Sequence, residues 1–244
     1  SFPTRRSSDL HKLYEHVAIA FEQLALGEEA IIRNRDLENG LISIGASENA
    51  LRLILLSELE HFCARYPHVR IRLLNYSAPQ AVKALENNII DFAIVSTPVL
   101  VHKHMHQEKL VSYDEILLGG TKYKQFAQQV HYLEDISEMP LIGLCEGSST
   151  HTHYSRFFME HDLPFEPDME AAMTDQVLPM ITHNLGIGFY PKSLALEAIE
   201  KELVFPIELT EPLPNRDVVV ITNNHTPINS AARRFLEFLL ENRK

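Results

Sequence analysis

The 244-residue chain has no tryptophan and only two cysteines, Cys63 and Cys145. Two distant thiols cannot staple a small secreted scaffold, so the fold must rest on a buried apolar core, and the reducing cytoplasm is the expected compartment. Long apolar runs are also missing. No stretch approaches the roughly 18 to 20 residues that span a bilayer, and no basic segment followed by an apolar one opens the chain, so no membrane partner is expected. Positive charge is scarce: 22 Lys and Arg stand against 33 Asp and Glu, a formal net charge of −11. A phosphate-binding surface needs concentrated Lys and Arg, so any DNA contact must come from outside these residues. Nucleotide and hydrolase signatures are lacking as well. Gly186-Ile-Gly188 has neither a third glycine nor a strand-to-helix setting, and there is no Gly-x-Ser-x-Gly elbow, P-loop or His-Glu-x-x-His helix. No catalytic residue, metal or cofactor is expected.

What is present is a chain that is 45% hydrophobic and long enough for two lobes or one large domain. Residues 1–10 stand apart. The sequencing adapter TCTTTCCCTACACGACGCTCTTCCGATCT, read in frame, encodes Ser1 to Asp9, and its last two bases fix leucine at position 10. The segment therefore carries no fold signal, and the natural start is expected further upstream. Residues 11–39 read as one long helix: Leu10, Leu13, Val17, Ala20, Leu24 and Ile31 follow alternating three- and four-residue steps, with Gly27 in one slot. That is a heptad seam, and Leu13, Val17 and Leu24 are its candidate dimerisation residues. Asn39-Gly40 supplies the stop, because glycine readily takes the left-handed cap conformation.

Beyond Gly40 the period changes. Strands are expected at 41–46, 69–74 and 91–95, alternating with helices at 50–66 and 79–87; short connections of this kind force right-handed crossovers and a parallel sheet. The stretch 115–205 repeats the theme, with strands at 115–118, 141–144 and 186–190 and helices at 150–161 and 175–183. A β-rich run at 217–222 and an amphipathic helix at 229–242 end the chain. His102, His104 and His106 alternate, which on a strand puts all three on one face. With no cysteine or carboxylate at ligand spacing to complete the set, they read as an exposed edge or loop. His151 and His153 read the same way, and Cys145 has only Cys63 as a conceivable redox partner.

The pattern Gly40-Leu-Ile-Ser-Ile-Gly-Ala-Ser47, an apolar helix ending Phe62-Cys-Ala-Arg-Tyr-Pro67, and then Asp91-Phe-Ala-Ile-Val95 resembles the first effector-domain lobe of the LysR-type transcriptional regulators. Leu185-Gly-Ile-Gly-Phe-Tyr-Pro191 resembles the family's second-lobe signature, and Pro212-Leu-Pro-Asn-Arg216 precedes the return strand as in the family. The resemblance implies an α/β, two-lobed type 2 periplasmic-binding-protein fold behind a long linker helix. Lobe I is expected at 40–116 and 217–244 and lobe II at 117–216, with crossovers near 115–121 and 212–217. It further implies a homodimer or homotetramer. A helix from lobe I and the C-terminal helix would also pair subunits, and DNA would be held only by a winged helix-turn-helix that precedes the linker.

A small-molecule co-inducer, expected to be anionic, would sit between the lobes. Strand carboxyl ends feed helix N-termini there, and such termini offer free N–H groups and the positive dipole end. Topology and resemblance together nominate Ser47, Glu48 and Asn49 on one wall, with Ser96 and Thr97 after the third strand. Gly147, Ser148, Ser149 and Thr150 are nominated from the second lobe, with Asp175 opening the next helix and Phe189 as a floor. The same residue types also cap helices and turns with no ligand present. Where members of the family carry an arginine shortly after the Ser-Ser-Thr turn, this chain has His151 and His153. The implied function is a ligand-controlled regulator. The alternative is an extracytoplasmic solute-binding protein of the same fold, which would have no need of a heptad helix.

Overall fold

In the computed structural model the described residues are 40–241 together with Val17, Ala20, Phe21 and Gln23, which are helical. Val17 is exposed; Leu13, Leu24 and the rest of the expected linker helix lie outside the described residues. Eleven strands follow, beginning with β1 (Leu41–Ala46), β2 (Arg70–Asn75), β3 (Phe92–Ser96) and β4 (Met105–Tyr113). The second half brings β5 (Glu115–Gly120), β6 (Val130–His131), β7 (Leu141–Leu144), β8 (Met169–Ala171), β9 (Ile187–Pro191), β10 (Val204–Leu209) and β11 (Arg216–Asn223). Helix α1 runs over 48–65, α-helical at Glu48–Ala50 and Leu56–Arg65 with a π-helical segment, Leu51–Leu55, between them. The remaining helices are α2 (Ala78–Glu86), α3 (Leu133–Ser137), α4 (Ser149–Met159), α5 (Thr174–Thr182), α6 (Lys192–Glu200) and α7 (Ser230–Glu241).

The strands form two sheets, ordered β2-β1-β3-β11-β4 and β6-β10-β5-β9-β7-β8. β1 pairs in parallel with both β2 and β3, as the helical crossovers α1 and α2 require. β11 enters antiparallel between β3 and β4. In the second sheet β7 is parallel to β8 and β9, whereas β5 runs antiparallel to β9 and β10.

Each sheet is buried on both faces. On the first, Phe62 of α1 meets Phe235 of α7 edge-on, ring centroids 4.9 Å apart, and Phe235 stacks over Phe92 of β3 at 5.8 Å. All three rings are essentially inaccessible, and burying each is worth about 1.5–3 kcal/mol. The opposite face is filled by Ala81, Val82 and Leu85 of α2 against Ala93 and Val95. The second sheet carries Leu133, Tyr154 and Phe158 of α3 and α4 on one side, and Val177, Ile181 and Ala195 of α5 and α6 on the other. The result is two α/β lobes, each three layers deep.

The chain leaves the first sheet at Tyr113 and enters the second at Glu115; it returns over 210–215. Glu115 and Ile116, expected in lobe I, pair with Pro191 and Tyr190 in lobe II, and Arg216, expected in lobe II, pairs with Tyr113 in lobe I. The boundary shifts because β4 is an edge strand that mostly faces solvent and whose end carries no sequence signal.

Candidate functional site

Four strand-to-helix junctions open on one cavity of about 420 Å³ between the lobes. From lobe I come Ser47–Asn49, where β1 passes into α1, and Asn75–Gln80, where β2 passes into α2. From lobe II come 144–150, between β7 and α4, and 172–174, between β8 and α5. The positive ends of four helices therefore point at the same space. Local chemistry fixes each end. Ser47 Oγ accepts from Ala50 N at 3.4 Å and from Ser96 N at 3.2 Å, so one hydroxyl caps α1 and ties it to β3. Ser148 Oγ accepts from His151 N at 3.0 Å. Ser77 N donates to Gln80 Oε1 at 2.9 Å, and Met173 N donates to Gln176 Oε1 at 3.2 Å. A helix leaves its first N–H groups without intrahelical partners, so those of Glu48, Asn49, Ser149 and Thr150 are available to a ligand. Gly147 has φ +83°, a conformation that L side chains rarely adopt, and it turns the chain into α4.

Of the nominated residues, the cavity is lined by Ser47, Glu48, Asn49, Ser96, Gly147, Ser148, Ser149 and Thr150. Thr97, Asp175 and Phe189 are not part of that lining. Thr97 turns away from it, its Oγ1 accepting from Asp217 N at 3.0 Å. Asp175 is exposed one residue beyond Thr174, which does line the cavity. Phe189 is buried in the second lobe with its ring stacked on Tyr154 at 4.2 Å. The junction at Asn75–Gln80 was not nominated, although Ser77-x-x-Gln80 has the spacing of a capping box. Cys145 also lines the cavity and is a free thiol, as is exposed Cys63.

Beneath the floor lies a buried ion pair. Arg216 is the first residue of β11 and Glu115 the first of β5, so each stands at one of the two crossovers. Their side chains are 0% and 2% exposed, with Nη1 3.2 Å from Oε1. Arg216 Nε donates to the Thr97 carbonyl at 2.8 Å, and Nη1 donates to Thr150 Oγ1 at 3.0 Å. Tyr154 Oη donates to the Glu115 carboxylate, and the Tyr113 ring lies 5.8 Å from the guanidinium. Burial alone would lower the Arg216 pKa, but the Glu115 carboxylate, with Tyr113 and Tyr154, outweighs it and leaves the value raised. Burial pushes Tyr113 up to about 12, so it remains a phenol. Burial and then the Arg216 charge pull His153 down to about 4, which leaves this imidazole neutral near pH 7. Asn49 Oδ1 and Arg216 Nη2 are buried without a hydrogen-bond partner.

Two contacts cross between the lobes above this pair. Arg52, in the π-helical segment of α1, donates from Nη1 to Tyr190 Oη at 2.7 Å, and Asn75 Nδ2 donates to Met173 Sδ at 3.3 Å. The extra residue per turn in a π segment changes which side chains face the neighbouring lobe. Among the described residues no three His, Cys, Asp or Glu side chains are placed to hold a metal ion. His102, His104 and His225 stack face to face instead, with centroids 5.7 and 4.9 Å apart. Nor is any helix long and apolar enough to cross a membrane, among the described residues.

Comparison with known proteins places this geometry. The family profile described as LysR substrate binding domain matches residues 35–244. A probable RuBisCO transcriptional regulator of Chlorokybus atmophyticus is 24% identical over 206 residues, covering 82% of this chain and 66% of its own length. The regulatory domain of CcmR from Synechocystis PCC6803, in complex with 2-PG, superposes with a TM-score of 0.75 at 15% identity, over 84% of this chain and 98% of that one. The effector binding domain of QuiR in complex with shikimate gives 0.73 at 15% identity, over 84% and 97%. These two likenesses establish the shared two-lobed fold.

Proposed function

Because the chain belongs to the LysR substrate binding domain family, we propose that it is the effector-binding part of a ligand-responsive, LysR-type transcriptional regulator. A small molecule bound between the lobes shifts their relative arrangement, and DNA is contacted through a helix-turn-helix in the part of the protein this chain does not span. The observation that carries this reading is the convergence of four helix N-termini on one interlobe cavity. That placement suits an anionic group on the ligand, and two structurally similar regulatory domains are described with small molecules, 2-PG and shikimate. The ligand contacts are Ser47, Asn49, Ser96, Ser148, Ser149 and Thr150. The protein works in the cytoplasm as a homodimer or homotetramer, paired in part through Leu13, Val17 and Leu24. A solute-binding protein would share the architecture, but the relatives matched are transcriptional regulators, which favours the regulator.

A thermal-shift screen of metabolites and inorganic anions tests the site. Ligands that raise the melting temperature of the parent chain should lose roughly ten- to a hundredfold in affinity in Ser96→Ala or Ser148→Ala, the effect of removing a hydrogen bond to a charged group, about 1.5–3 kcal/mol. Ser148→Ala also removes a helix cap, so its unliganded stability should fall by about 1 kcal/mol. Hits that both variants bind as well as the parent would place the effector somewhere else.

A further inference from the structure

The interlobe cavity holds charge of both signs. Among the described residues no Lys, Arg or His side chain lines it, but two carboxylates do, Glu48 and Glu146. Each helix N-terminus carries roughly +0.5 of an elementary charge, so four of them about offset the two carboxylates. Arg216, behind the floor, is already matched by Glu115. A dianion entering here would find no fixed cation for its second charge and would approach two glutamates. A simple cation would face four positive helix ends. The arrangement suits a molecule that carries one charge of each sign.

A separate observation points to the same space. Asn49 is 3% exposed and lines the cavity, yet its Oδ1 is buried without a partner. The Asn49 amide spends its other end on Tyr113 Oη, 3.3 Å away. Buried polar atoms left unpaired are costly, and a ligand that pairs them recovers that cost.

We propose that the effector is a small zwitterion of the α-amino-acid kind. The inference rests on the interlobe reading given above. The carboxylate is held by the first-turn N–H groups of Ser149 and Thr150 in lobe II, and the ammonium by Glu48 with Asn49 in lobe I. The ligand's dipole thus spans the gap between the lobes. Glu146, exposed beside the cavity, turns away molecules with a second acid group.

The test is a thermal-shift and calorimetric screen of the chain with the twenty protein amino acids. Each hit is then compared with its α-hydroxy acid, which lacks the ammonium, and its α-carboxamide, which lacks the carboxylate. At least one amino acid should bind, with both analogues at least tenfold weaker. Glu48→Gln should weaken the amino acid tenfold or more while leaving the hydroxy acid unchanged or tighter. An α-hydroxy acid that binds as well as its amino acid, or a Glu48→Gln chain with undiminished affinity, overturns the proposal. So does a screen in which no amino acid binds. If inorganic phosphate or dicarboxylates bind instead and Ser148→Ala weakens them, the zwitterion fails and the interlobe effector site stands. If binding ignores both Ser96 and Ser148, that site fails as well.

Discussion

At the scale of single residues, the Arg216–Glu115 pair is costly to disturb. Both charges are withdrawn from water, and each is held by additional hydrogen bonds, from Tyr154 to the carboxylate and from the guanidinium to Thr97 and Thr150. Removing one member leaves the other buried and uncompensated, which typically costs about 3–5 kcal/mol, whereas replacing both by apolar groups of similar volume is often close to neutral. Arg216→Met should therefore lower the unfolding free energy by about 3–5 kcal/mol, and the double variant with Glu115→Leu should recover most of the loss; urea denaturation of the full double-mutant cycle measures both. A single-variant cost below about 1 kcal/mol would mean that water reaches the remaining charge. Nothing local in the sequence marks this pair, because its members lie 101 positions apart and each stands at the very start of its strand. The cavity residues were easier to read. Ser47–Asn49 and Gly147–Thr150 each combine small or hydroxyl-bearing residues with a change from strand to helix period, and that change locates a strand's carboxyl end. Thr97 and Asp175 missed by a single position, the distance over which a side chain swings from one face to the other. Phe189 misled because β9 is buried on both faces, so alternation along it does not tell cavity from core.

Elements were legible where an apolar period was bounded by punctuation, and illegible where either was missing. The parallel strands β1, β2 and β3 with their crossovers lie within a residue or two of the expected limits. β4 was missed because six of its nine residues, His106 to Lys109 with Val111 and Ser112, face solvent with no alternation, and its partner β11 carries an irregularity at Val218/Val219. β10 contains Pro206, which argues against a strand, and α6 starts directly from Pro191 with no side-chain cap to announce it. The packing between β5 and the end of α5 leaves no room for a side chain. A Cβ on Gly120 would lie 2.3 Å from the Ile181 carbonyl oxygen and 2.6 Å from Asn184 Oδ1. That oxygen is already engaged, accepting from Lys122 N at 2.7 Å. Gly120→Ala must push the helix end off the sheet, and the expected loss is about 1–3 kcal/mol, read from the denaturation midpoint. A variant as stable as the parent would show that this helix end shifts freely.

For the molecule as a whole, the question is what holds the lobes at their present angle. The Arg52–Tyr190 bond is a charged hydrogen bond from lobe I to lobe II, but Arg52 is exposed, and solvent screening leaves such a bond worth about 0.2–1 kcal/mol. Arg52→Ala should shift the unliganded population toward more open arrangements by up to about fivefold, raising the radius of gyration in solution scattering. Scattering identical to that of the parent would mean that the buried hinge pair alone sets the angle. The connectivity of the two sheets has a further consequence, in the order in which the protein is made. β11 lies between β3 and β4, and it is the strand on which β4 pairs, yet it leaves the ribosome about a hundred residues after β4, when lobe II is already complete. The lobe that begins first is therefore finished last, and until β11 arrives, β3 and β4 present open hydrogen-bonding edges to the cell, the interval in which a chaperone or a neighbouring nascent chain would find them.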